Sequence, residues 1–104
     1  MTGTLSGEGW LRDAAPEYDA VRGRLLALVF SPTRGTLPLK YRAMIAGLVA
    51  ATRSTPTVEA HFRAALTAGA TVAEIVEAVE VAELPGGPPA LDGSIDALRR
   101  IGRP

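Results

Sequence analysis

His61 is the only histidine of this 104-residue chain, and its imidazole is the side chain best suited to acid–base chemistry. An unperturbed histidine has a pKa of about 6.5, so it can both accept and donate protons near neutral pH. His61 lies within an apolar helical arc beside Val58 and Phe62. Two interpretations stay open: His61 transfers a proton in a reaction, or it packs in a core or interface with its ring bonded to a backbone carbonyl.

Glu83 is the second residue that could take part in proton transfer. Counted at about 100° per residue, it falls near the centre of the apolar arc of its predicted helix. That arc is formed by Val72, Ile75, Val76 and Val79. A partly buried carboxylate there could orient His61 or exchange a proton with substrate. Alternatively, the last turn frays before Pro85, and Glu83 meets water or a neighbouring arginine.

Two arginines could bind the carboxylate of a substrate. Arg42 lies at the edge of the apolar face of a strongly hydrophobic segment, and its planar guanidinium suits bidentate binding of a carboxylate. Arg34, in the loop before that segment, could take the same role. Arg42 could equally pair with an acidic residue of a neighbouring subunit.

The composition excludes several classes of chemistry. The chain has no cysteine, which excludes disulfides, thiolate metal sites and thiol redox catalysis, and a single histidine argues against a zinc site. The Gly86-Gly87 turn follows a helix and belongs to no phosphate-binding motif. Eleven basic and eleven acidic residues are interspersed, which argues against binding to nucleic acid or a membrane surface. Any reaction is therefore expected to need neither metal nor cofactor.

The elements that must position these residues are helices. A first helix should run from about Ala15-Pro16 to Phe30, and the most apolar segment, Pro38 to Thr52, should form a second that is buried on several sides. Its main face is expected to be Tyr41, Met44, Ile45, Leu48, Val49 and Thr52. Gly47 inside it costs about 1 kcal/mol against alanine, so close backbone packing is its expected compensation.

The next two helices have clear local signals. Thr55 and Pro56 suit the start of the helix that carries His61, and Gly69 suits its end. Thr71 and Glu74 form a T-x-x-E capping box for the following helix, which the Pro85–Pro89 turn should stop. Because the connection is so short, these two helices are expected to pack as a hairpin. A last helix should run through Leu91, Ile95, Leu98 and Ile101 and end at Gly102.

The sequence therefore predicts an all-α bundle of about five helices, in a single domain over residues 1–104 with a flexible leader at 1–9. Aromatic residues are only 5% of the chain, so the core must be built from small and aliphatic side chains, and oligomerisation would supplement its stability. Without a signal peptide or long apolar run, the expected location is the cytoplasm.

Three segments carry a resemblance to a known family. LPLKYRAMIAGLVAA, EAHFRAALTAGATVAEIVEAVEVA and PGGPPAL follow one another over about residues 37–98. This order resembles the carboxymuconolactone decarboxylase family, which includes the alkylhydroperoxidase D-like proteins, and H-x-R-A-A-L-x-x-G-A-T-x-x-E-I-x-E-A is the most specific part. The resemblance implies an all-helical fold that assembles as trimers or hexamers, with active sites near subunit contacts.

The redox branch of that family carries Cys-x-x-Cys just before the histidine, at the positions of Ser54 and Thr57 here. A hydroxyl cannot form a disulfide, and the assisting glutamate would fall near Ala43, so thiol peroxidase activity is not expected. The decarboxylase branch lacks the cysteines and has residues resembling His61, Arg34 and Arg42. It often has an acidic residue where this chain has Thr57.

The leading hypothesis is a cofactor-free lyase or lactone-processing enzyme acting on a small carboxylated substrate, in a homo-oligomer. Arg42, together with Arg34, would bind the carboxylate; His61 would transfer the proton and Glu83 would tune it. The alternative is a non-catalytic oligomeric binding or scaffold protein that has lost the redox motif, with His61 as a packing residue.

Overall fold

The structure is a computed structural model that describes residues 7–102, and these form six α-helices without any strand. The helices are α1 (Gly7–Ala14), α2 (Pro16–Val29), α3 (Leu39–Thr52), α4 (Val58–Thr67), α5 (Val72–Gly86) and α6 (Pro88–Ile101). The predicted all-α fold class is confirmed. None of the helices in this described part of the chain is long and apolar enough to cross a lipid bilayer.

The chain divides into two compact units, the first ending at Arg34 and the second starting at Gly35. The single domain over residues 1–104 stays a prediction. In the first unit, α1 packs against α2. The leader predicted at residues 1–9 needs correction at its end, because residues 7–9 form the first turn of α1; residues 1–6 lie outside the described part. Helix α2 has no buried residue, although it carries apolar side chains from Tyr18 to Val29.

The second unit is built around α3 and α6, which pack against each other and against both α4 and α5. Its core consists of small and aliphatic side chains around one aromatic ring, as the composition predicts. The buried cluster contains Ala43, Met44, Ala50, Ala51, Val58, Phe62, Ala65, Ala70, Ile75, Val79 and Ala97.

The predicted hairpin of α4 and α5 is wrong. The tight connection is present, with Gly69 at φ 108° and a complete capping box between Thr71 and Glu74. Instead of turning back along α4, however, α5 packs on α6 and on α3, and α4 and α5 make at most marginal contact. The apolar sides of both helices are therefore buried by α3 and α6.

The orientation of α3 also differs from the prediction. Its buried residues are Ala43, Met44, Gly47, Ala50 and Ala51. Of the predicted main face, Met44 is buried as expected. Tyr41, Ile45 and Val49 of the same face are instead 37%, 51% and 53% exposed. The small side chains face the core because they allow α4 and α6 to approach the α3 backbone closely.

Two helix boundaries lie away from their predicted positions. Helix α4 begins at Val58 rather than after Thr55, whose Oγ1 donates to the carbonyl of Ala50 instead of capping α4. Helix α5 continues through Pro85 to Gly86, and Gly87, at φ 76°, is the single residue between α5 and α6. A left-handed backbone at this corner suits a residue without a Cβ atom.

Candidate functional site

His61 lies in the first half of α4 at the contact with α3. Its backbone N–H donates to the carbonyl of Thr57 at 3.1 Å, and a Cβ atom on Gly47 of α3 would lie 3.3 Å from the Cβ of His61. The side chain is half-buried, and this burial lowers the pKa of its imidazole below the usual 6.5. The ring is therefore mostly neutral at pH 7, which allows it to accept a proton.

Arg42 lies near the start of α3, where its Nε donates to the carbonyl of Leu37 at 2.9 Å. This hydrogen bond ties the half-buried side chain to the backbone that leads into the helix. Arg42 precedes Gly47 by five residues, about 7.5 Å along the helix axis at 1.5 Å per residue. Arg42 therefore lies on the same helix as Gly47, the residue of α3 that lies against His61.

Arg34, the other predicted carboxylate ligand, belongs to the first unit. Its Nη1 donates to the carbonyl of Leu28 at 3.3 Å, so the side chain folds back over the end of α2. Both predicted arginines are therefore bonded to a backbone carbonyl in their own unit.

Glu83 is half-buried in the last part of α5. Helix α5 does not fray before Pro85, since the backbone carbonyl of Glu83 accepts from the N–H of Gly87 at 2.8 Å. Its half-burial agrees with the partly buried carboxylate that its place in the apolar arc predicts. The expectation that Glu83 orients His61 or exchanges a proton with substrate stays a prediction.

Ser54 and Thr57, at the positions of the redox cysteines of the resembled family, end α3 and begin α4. Ser54 has a left-handed backbone at φ 57°, its N–H donates to Ala51, and the N–H of Thr55 donates to Ala50. This is the Schellman arrangement, in which glycine is the usual left-handed residue. Thr57 is the N-cap residue of α4, and its Oγ1 lies 3.3 Å from that of Thr55.

The Ser54 side chain lines a cleft of about 450 Å³ between the α3–α4 connection and α6, where Asp92 and Asp96 form the opposite wall. The left-handed conformation of Ser54 could not be predicted from the sequence, because glycine, not serine, is the residue expected at a left-handed helix end. A glycine at the same place would have signalled it.

Sequence reasoning also missed a charge cluster that joins α4 to α6. Glu59 accepts from Arg63 Nε at 2.8 Å and from Arg100 Nε at 2.7 Å, and Arg63 Nη2 donates to the carbonyl of Arg100 at 3.3 Å. The hydrogen bonds from Arg63 and Arg100 lower the pKa of Glu59. The Glu59–Arg63 spacing of four residues is visible in the sequence, but the approach of Arg100 depends on the tertiary fold.

Within residues 7–102, no three His, Asp or Glu side chains are placed where they could bind a metal ion together.

Comparisons with known proteins give the same family as the sequence motifs. A model of the carboxymuconolactone decarboxylase family matches residues 16–100, a longer stretch than the motifs alone cover. A crystal structure of a Burkholderia xenovorans LB400 protein, described as a candidate carboxymuconolactone decarboxylase, is similar with a TM-score of 0.81 and 25% sequence identity. The similarity covers 92% of this chain and 77% of that one. No curated protein matches. Because the family model matches residues 16–100 of the 104, the chain belongs to the carboxymuconolactone decarboxylase family.

Proposed function

We propose that this protein is a cofactor-free enzyme of the lyase or lactone-processing type, which acts on a small carboxylated substrate and uses His61 for proton transfer. The observation that carries the proposal is the half-buried imidazole of His61, with its lowered pKa, in a chain of this family. A thiol peroxidase reaction is not proposed, because the chain has no cysteine.

Each residue then has a defined role. Arg42 is proposed to bind the substrate carboxylate, and Arg34, in the first unit, is the weaker candidate for the same role. In a decarboxylation, the carbon–carbon bond to the carboxylate breaks, CO₂ leaves, and the electron pair delocalises into the lactone carbonyl. His61 donates a proton to that carbanion from its imidazolium form, which is the minor form near pH 7, and then recovers a proton from solvent. In lactone processing, the neutral His61 accepts a proton from the substrate instead. Glu83, half-buried on α5, is proposed to tune the proton transfer by His61.

A homo-oligomer, either a trimer or a hexamer, is part of the proposal. Apolar side chains exposed on α2, and Tyr41 and Ile45 exposed on α3, support a contact with further copies of the chain. Light scattering coupled to size-exclusion chromatography measures this state directly. The cytoplasmic location stays a prediction from the sequence.

NMR titration of the His61 ring, alone and with a panel of small carboxylic acids and lactones, tests the role of this residue. Since the chain has one histidine, the ring signals need no assignment. We expect a midpoint below 6.5 that shifts again with one ligand of the panel. His61→Gln should abolish turnover of that ligand, whereas Ala64→Gln, which places the same side chain on the exposed face of α4, should not. Unchanged turnover by folded His61→Gln would exclude the proposal.

A second candidate function is a non-catalytic binding protein. The hydrogen bond that holds Arg42 against the Leu37 carbonyl favours it, because that bond gives Arg42 a structural role without any substrate. In that case the His61 signals would respond to none of the ligands, and His61→Gln would lower thermal stability without affecting any turnover.

A further inference from the structure

A second site lies on α3, away from His61. An open groove of about 400 Å³ runs between the C-terminal half of α3 and the end of α5. Its walls are formed by Leu48, Val49, Thr52, Ala82, Pro85 and Gly86, with Arg53 at one end. At 100° per residue, the wall residues of α3 lie about 150° around the helix from Gly47, which faces α4. The groove and His61 are therefore on opposite sides of α3.

The walls of this groove are apolar. Thr52 is the only wall residue with a hydroxyl, and its Oγ1 already donates to the carbonyl of Leu48 at 2.9 Å. Pro85 has no backbone N–H, and neither Pro85 nor Gly86 adds a polar side chain to the groove. The groove thus offers a hydrocarbon surface of a size that suits a small molecule.

Arg53 supplies the only charge of the lining. Within residues 7–102, no carboxylate pairs with its exposed guanidinium. Arginine is permanently charged and binds carboxylates in a bidentate fork. One cation at the end of an apolar groove complements a ligand with one negative charge and an apolar body.

We propose that this groove binds a small monocarboxylic acid, with the hydrocarbon body between α3 and α5 and the carboxylate on Arg53. A phosphate would carry more charge than a single guanidinium can match, and an amine would be repelled by it. The site is independent of the proposed reaction, since none of its residues takes part in proton transfer or in substrate binding there.

The test uses the ¹⁵N-labelled full chain titrated with octanoate, 1-octanol and octylamine, which share a hydrocarbon body and differ in charge. We expect octanoate to shift the amide signals of Val49, Thr52, Ala82 and Gly86. Arg53→Gln should weaken octanoate binding on the order of tenfold and leave octanol binding unchanged. Arg99→Gln removes another exposed arginine, on α6, and should change neither.

Several outcomes would overturn the proposal. Equal binding of octanoate by Arg53→Gln, equal binding of octylamine, or no shift of the groove amides would each exclude it. If the groove signals respond to protein concentration instead of octanoate, a second copy of the chain occupies the groove. If only the His61 ring responds, the acid binds at the proposed reaction site and the groove is not its site.

Discussion

A Cβ atom on Gly47 would lie 2.5 Å from Cδ1 and Cε1 of the Phe62 ring, so α3 and α4 pack with the ring directly against the α3 backbone. Phe62 is fully buried and is the largest side chain of the core. The fit of this one ring against a glycine sets how closely the two helices approach, and thereby fixes the surroundings of His61 next to it.

Replacing Gly47 with alanine should destabilise the fold, although alanine is the better helix former by about 1 kcal/mol. The added methyl group displaces the Phe62 ring, and overpacking of this kind costs about 1–3 kcal/mol. Gly23→Ala in α2 is the matched control, because a Cβ there meets nothing within 4 Å. Chemical denaturation should show a loss for Gly47→Ala and a gain for Gly23→Ala; a gain for both would contradict the packing described.

The pH dependence of turnover should identify the direction of proton transfer by His61. Burial lowers the pKa of its imidazole, so the inflection in the rate of turnover should lie below pH 6.5. If His61 donates a proton, as in decarboxylation, the rate falls as pH rises through that pKa. If it accepts one, as in lactone processing, the rate rises over the same range. A rate without any inflection there would show that His61 does not transfer the proton.

Ser54→Gly should raise the free energy of unfolding by about 1 kcal/mol, because glycine adopts the left-handed conformation without strain. The φ of 57° at Ser54 is the only positive φ among the non-glycine residues described. Ser31→Gly in the loop after α2 is a suitable control, since φ is not positive there, and it should lower stability or leave it unchanged. An equal gain for both variants would contradict the strain at Ser54.

Ser94→Ala should leave the fold unchanged or stabilise it by about 1 kcal/mol. Ser94 is fully buried in α6, and its Oγ has no hydrogen-bond partner in the described part of the chain. Removing an unpaired buried hydroxyl removes the cost of its desolvation. Thr71→Ala, which deletes a hydroxyl that does cap a helix, should instead lose about 1 kcal/mol. Thermal melts should show an unchanged or raised melting temperature for Ser94→Ala and a lowered one for Thr71→Ala.

Acidification should weaken the contact between α4 and α6. The pKa of Glu59 is lowered in the fold from its usual 4.5, so its contribution to stability is complete above pH 4.5 and is lost as pH falls through the folded-state pKa. Glu59→Gln should lower the melting temperature at neutral pH and flatten its decline in acid. Glu80→Gln, at an exposed position of α5, should leave the pH profile as it is. An unchanged profile for Glu59→Gln would exclude the cluster as a source of acid sensitivity.

The sequence predicted correctly those features that depend on residues close to one another along the chain. The Thr71–Glu74 capping box and the left-handed Gly69 are both present, and Gly47 lies in the close contact that its cost inside a helix implied. Each depends on residues within one or two turns, or on the intrinsic preference of glycine. The same holds for the half-burial of His61, which follows from the apolar arc around it.

The features that the sequence did not predict depend on contacts between residues far apart along the chain. The hydrophobic pattern of α3 could not show that its small residues face inward, since the fit to Phe62 decides this and the pattern measures only hydrophobicity. Likewise, Arg100 lies 41 positions from Glu59, and nothing in either segment indicates that they meet.

Because the small residues of α3 face the core, the two sides of this helix should tolerate different mutations. On the inner side, position 47 should reject any larger residue, however hydrophobic, because the Phe62 ring occupies the space, and the buried positions 43 and 51 should favour small residues. On the outer side, positions 41, 45 and 49 should accept changes in size, and polar replacements there should cost the isolated chain little. A saturation scan of this helix would therefore separate a volume constraint from a polarity constraint, residue by residue along the same fourteen positions.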